Sequence, residues 1–161
     1  MAGKVSIIYT SPLRRAVETA REAAAAAGIP VRVAEELTDI DYGAWQGLHW
    51  REVSARYPEH YRCWCQRPEE VLLIPGGEGL AGVRARALPL LQRLLGADGD
   101  SLVIAHEVVN KVLLQWALGM EAGGFWRLVQ HPGCLNIIEL HQGEPVVVLL
   151  NDTCHLKELR Q

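Results

Sequence analysis

No run of basic residues longer than Arg14-Arg15 occurs in this 161-residue chain, and its formal charge is −3. That balance gives a polyanion nothing to hold, which excludes general nucleic-acid and membrane-surface binders. No apolar stretch reaches the ~20 residues a membrane-spanning helix needs, and no signal peptide stands before Lys4, so the expected location is the cytoplasm. Cysteine is scarce: Cys63, Cys65, Cys134 and Cys154 fit neither a secreted disulfide scaffold nor paired zinc knuckles. His60, Cys63 and Cys65 beside Trp64 lack a second ligand pair, so free thiols and no metal are expected. Repeats, low-complexity tracts and linkers are missing as well. The length suits one domain, residues 1–161, with 49% apolar residues to fill a core.

What is present alternates. Val5 to Tyr9 reads as a buried strand. Ser11 stands at the expected N-cap of a helix from Pro12 to Ala27, closed by Gly28 with Pro30 beyond. Val31 to Ala34 is a short strand, and Asp39 to Gly47 a loop with acidic and aromatic residues. Helices follow at Trp50 to Arg56 and Glu59 to Arg67, separated by Pro58. Ile74 to Gly79 is a turn. Gly82 to Leu95 is helical with Val83, Leu88, Leu91 and Leu95 near one face. Ser101 to Ala105 is a strand ending at His106, and Val108 to Leu118 the helix after it. Leu135 to Leu140 and Pro145 to Leu150 form a hairpin across Gln142-Gly143. Strands alternating with helices predict a three-layer α/β/α sandwich on a mostly parallel sheet, with antiparallel strands added late.

In such sheets ligands bind beyond the carboxyl ends of the strands, where this chain places its polar residues. Arg15 opens a helix after a strand, and a guanidinium at a helix N-terminus suits phosphate oxygens; alone it is also an ordinary solvated arginine. Asp39, with Asp41 a neighbouring competitor, is a candidate acid or a loop-capping carboxylate. His106 is a candidate site histidine or a satisfied histidine at a strand end. Tyr42 and Trp45 are site-edge or packing residues.

Taken in order, Tyr9-Thr10-Ser11-Pro12-Leu13-Arg14-Arg15-Ala16, Leu37 to Gly47, Pro75-Gly76-Gly77-Glu78, Ile104-Ala105-His106-Glu107 and Asn151 to Leu156 resemble the histidine phosphatase superfamily, the phosphoglycerate mutase-like proteins, over nearly the whole chain. The resemblance implies a phosphate pocket of two histidines, two arginines and an acid, with no metal or cofactor. Its first histidine attacks phosphorus, its arginines and second histidine stabilise the transferring group, and its acid protonates the leaving alkoxide. By that resemblance Arg15 is a pocket arginine, His106 the second histidine, Asp39 the proton donor and Tyr42 a substrate contact. The Glu107 backbone N–H would meet a phosphate oxygen.

The family's Arg-His-Gly segment, with the attacking histidine, one arginine and a central strand–helix unit, has no counterpart in the 161 residues. Two expectations follow. One is a phosphomonoester hydrolase or mutase lineage acting on a small phosphorylated metabolite, inactive or impaired as given. The other is a non-catalytic relative binding phosphorylated ligands or a protein partner. The edge of Val5 to Tyr9 is expected to lie unpaired and drive homo-oligomerisation. Glu107 is expected to repel a phosphate unless its side chain turns away. His106 is expected to titrate near its ordinary value and hold anions better as pH falls toward about 6.

Overall fold

The computed structural model describes residues 5–68, 74–120 and 123–160. Strand β1 (Val5–Thr10) leads to helix α1 (Arg14–Ala27), β2 (Val31–Val33), helices α2 (Trp50–Arg56), α3 (Pro58–Gln66) and α4 (Leu80–Leu95), strand β3 (Asp100–Ile104) and helix α5 (Glu107–Ala117). A hairpin of β4 (Leu135–His141) and β5 (Glu144–Asp152) follows. The fold is α/β, with a parallel sheet of order β2-β1-β3 and the hairpin as a second, antiparallel sheet. Both faces of β1 are covered: Ile8 and Thr10 are fully buried on one, and Ile7 and Tyr9 half-buried on the other, as expected for a parallel sheet.

Register decides where the site forms. Thr10 pairs with Val33 on one side and Ile104 on the other. The ladder runs one bond further, with Ala34 N–H donating to Thr10 O at 2.8 Å and Ser11 N–H to Ile104 O at 3.0 Å. The carboxyl ends of the three strands therefore finish level, and the segments that follow them converge.

Three local expectations are corrected. The β1 edge is not open, because β2 and β3 flank it; among the described strands, β2 and β3 form the outer edges of that sheet. The late antiparallel strands do not extend the parallel sheet but pair with each other, closed by Gln142 and Gly143 at φ 56° and 86°, a turn geometry matched to strand twist. Helix α1 starts at Arg14 with Leu13 as its cap. Proline holds the residue before it extended, and the Ser11 hydroxyl accepts the Leu13 N–H at 3.3 Å instead of capping the helix. At the other end Gly28 closes α1 with φ 67°, as expected.

The core gathers Val83, Ala87 and Leu90 of α4, Val109, Val112 and Leu113 of α5, and loop residues Leu37, Ile40 and Trp45. The buried face of α4 is thus set by small Ala87 between Val83 and Leu90; Leu88 and Leu91 flank it. Two loops cross here. Ala44 N–H donates to Pro75 O and Glu78 N–H to Asp41 O, each at 2.8 Å. Gly77 is obligatory at this crossing, since a Cβ there would collide with the Asp41 carbonyl.

Candidate functional site

Arg15, Asp39 and His106 meet beyond the carboxyl ends of β1 and β3. Arg15 Nη2 lies 2.8 Å from Asp39 Oδ2 and 3.0 Å from His106 Nδ1, while His106 Nδ1 and Asp39 Oδ2 are 3.7 Å apart. Arg14, one residue earlier, points elsewhere and pairs with Glu18 at 2.7 Å. The helical turn therefore selects Arg15 of the two.

His106 sits between β3 and α5 with 7% of its surface exposed. A guanidinium only donates, so Nδ1 accepts from Arg15. The proton then belongs on Nε2, which donates to the buried Ser11 hydroxyl at 2.8 Å. This is the neutral tautomer, assigned from its partners. Burial lowers the pKa of His106 from its ordinary value; Asp39 opposes that shift, and the Arg15 and Arg86 cations reinforce it. The expectation of titration near the ordinary value is corrected accordingly: the charged form belongs to lower pH.

Asp39 is held by its backbone as much as by its side chain. Arg86 on α4 makes a two-pronged ion pair with Glu78, both distances 2.9 Å. Its remaining N–H groups reach Glu36 O at 2.7 Å and Asp39 O at 3.3 Å. Planar, five-donor arginine is suited to such a clasp. Asp41 is taken up by the loop itself, accepting from Gly43 N–H at 2.8 Å and Gln46 Nε2 at 2.6 Å.

Glu107 is the first residue of α5, its backbone N–H at the helix N-terminus beside His106. Its side chain turns to Lys111, Oε1 to Nζ 2.6 Å, which answers the expected repulsion by giving the carboxylate a cation of its own. Lys111 is 3% exposed and lies 4.9 Å from the ring centres of both Phe125 and Trp126. Tyr42 is half-buried; burial first, then Asp39 and Glu107, push its pKa up to about 12, so the phenol stays a donor.

Three of the five candidate residues are thus in direct contact, and Tyr42 and Glu107 border them. Ser11, Arg86 and Lys111 were not legible as site residues: Ser11 meets His106 95 residues on, Arg86 reaches the Asp39 carbonyl 47 residues back, and Lys111, beside its i,i+4 partner Glu107, is buried against two rings that only folding brings there. Among the described residues no group of three or more His, Cys, Asp or Glu is placed to hold a metal ion, and no helix is long and apolar enough to cross a membrane.

Comparison with known proteins gives the family and the fold. The sequence profile of the histidine phosphatase superfamily (branch 1) matches residues 1–153. Phosphoserine phosphatase 1 of Hydrogenobacter thermophilus is 32% identical over 156 residues, 96% of this chain and 74% of that protein. The adenosylcobalamin/alpha-ribazole phosphatase of Escherichia coli is 27% identical over 147 residues, 90% of this chain and 72% of its own length. The solved structure of Bacillus stearothermophilus YhfR superposes with TM-score 0.87 at 27% identity, covering 96% of this chain and 77% of that one.

Proposed function

The chain belongs to the histidine phosphatase superfamily, and on that footing we propose that Arg15, Asp39 and His106 form the phosphate-binding part of a phosphomonoester hydrolase site acting on a small phosphorylated metabolite. The observation that carries the reading is one guanidinium shared by an acid and a histidine, at 2.8 and 3.0 Å. Arg15 pairs with Asp39. A phosphate competes for that guanidinium with two oxygens at once, and the Glu107 N–H at the start of α5 offers a further donor. Asp39 is the carboxyl placed to hand a proton to the departing oxygen. Tyr42 borders the alcohol side.

The chemistry needs no metal or cofactor. It does need an attacking histidine, and the 161 residues hold no Arg-His-Gly segment. His106 is engaged by Ser11 and Arg15, His49 caps α2, and His141 pairs with Glu139. The chain by itself therefore binds phosphate without efficient turnover, and a role in binding phosphorylated ligands is the second reading. Four free thiols support a cytoplasmic location.

Calorimetric titration with inorganic phosphate and vanadate, alongside p-nitrophenyl phosphate hydrolysis, tests this. Phosphate is expected to bind with Kd on the order of millimolar, with most of that lost in Arg15→Ala and little in Arg14→Ala; hydrolysis stays near background. Loss of binding in Arg14→Ala with Arg15→Ala intact would overturn the site. Robust hydrolysis would overturn the expected lack of turnover, and its loss in His106→Ala would mark His106 itself as required for attack on phosphorus.

A further inference from the structure

Adjoining Arg15 and Asp39 is an open cavity of about 800 Å³. Ligand pockets typically span ~300–1,000 Å³, so the space far exceeds what a phosphoryl group fills. Its wall is aromatic: Tyr42, Trp45, Trp50, Tyr61 and Trp64, with Leu48. Three of the rings hold one another, Trp64 meeting Tyr42 and Trp45 edge-on at 6.1 and 6.3 Å. That part of the wall is formed before any ligand arrives, so little of its rotamer entropy remains to be lost on binding.

Polarity narrows the occupant. Arg15 is the cation on the cavity wall among the described residues, and Asp39 and Asp41 are its carboxylates. Once Arg15 engages a phosphate, no cation on that wall is left for a second anionic group. A carboxylate on the alcohol would face two acids.

Resting on the phosphatase reading above, we propose that this cavity is the leaving-group subsite, and that it takes uncarboxylated phosphomonoesters of ring-bearing aromatic alcohols in preference to esters of small amino or hydroxy acids. The phosphate sits at Arg15 and the ring lies against Trp50 and Tyr61.

Equilibrium binding tests this without needing turnover. The probes are 1-naphthyl phosphate, O-phosphoserine, inorganic phosphate and 1-naphthol, read by calorimetry on the parent, Trp50→Ala, Tyr61→Ala and Arg15→Ala. Trp50 is 54% exposed, so its truncation leaves the core intact. The naphthyl ester is expected to bind at least about tenfold tighter than O-phosphoserine or phosphate, an advantage that ring stacking supplies. Trp50→Ala should cut that advantage to about threefold while phosphate affinity stays put. Equal affinity of the naphthyl ester and phosphate overturns the subsite and leaves the phosphatase reading standing. Naphthol binding without phosphate binding overturns that reading and keeps an aromatic cavity. An advantage untouched by both Trp50→Ala and Tyr61→Ala places the ring elsewhere and overturns the proposal.

Discussion

His106 illustrates how two hydrogen-bond partners set a protonation state. Ser11 takes the Nε2 proton and Arg15 fills Nδ1, so a second proton would have to displace a guanidinium inside a buried pocket. The unfolded chain protonates this imidazole near its ordinary value of about 6.5, whereas the folded protein does so only at lower pH. Across that interval the unfolded state binds more protons. Stability therefore falls as pH drops below that value, and levels off beneath the folded pKa. Urea unfolding from about pH 7.5 to about pH 5.5 is expected to show this slope in the parent and to lose it in His106→Gln. Equal slopes would mean that the imidazole is not held neutral. That the sequence pointed to Arg15 rather than Arg14 rests on motif register; the physical reason is the 100° between helical neighbours, which sends Arg14 to Glu18 and Arg15 inward.

At the scale of elements, the acid loop owes its position to α4. Arg86 ties Glu78 to the carbonyls of Glu36 and Asp39, and the pair is less than a quarter exposed on each side, 24% and 22%. Removing one partner of a half-buried pair strands the other charge. Arg86→Met is expected to cost about 2–3 kcal/mol in urea unfolding, less than the loss of a fully buried pair. Adding Glu78→Gln should cost little more, because the stranded charge goes with it, leaving a coupling of about 1 kcal/mol. Strictly additive costs would show that the clasp is incidental. This clasp was illegible in the sequence: Glu78 and Arg86 lie on a turn and a helix, and nothing in their spacing says that both face the loop holding Asp39.

For the whole molecule the open surface is the hairpin, with the outer edges of β2 and β3. Leu135, Ile137, Leu140, Val146, Val148 and Leu150 are all exposed by 37% or more. Apolar side chains clustered on one small sheet favour association with another surface. We expect concentration-dependent self-association in light scattering, displaced toward monomer by the pair Ile137→Lys and Val148→Lys. A monomer at all concentrations, unchanged by those substitutions, would contradict this. The expectation of an open edge was sound as physics but assigned to the wrong strand, since sequence order does not reveal that β1 lies between β2 and β3.

Local chemistry alone determined much of this protein. Short apolar runs marked β1 and β3, Gly28 ended α1 and Gln142-Gly143 closed the hairpin, whereas Arg15, Asp39 and His106 came from the family resemblance of ordered motifs. Each of the local features depends on a few neighbouring residues, so a linear reading reaches it. Tertiary structure decided the rest: which strand lies in the middle, that Ser11 serves His106, that Arg86 fixes Asp39, that Lys111 is buried against Phe125 and Trp126, and that rings of the 42–50 and 61–64 segments line one cavity. These depend on contacts between residues far apart in the chain, whose geometry is set by sheet register and close packing of the core.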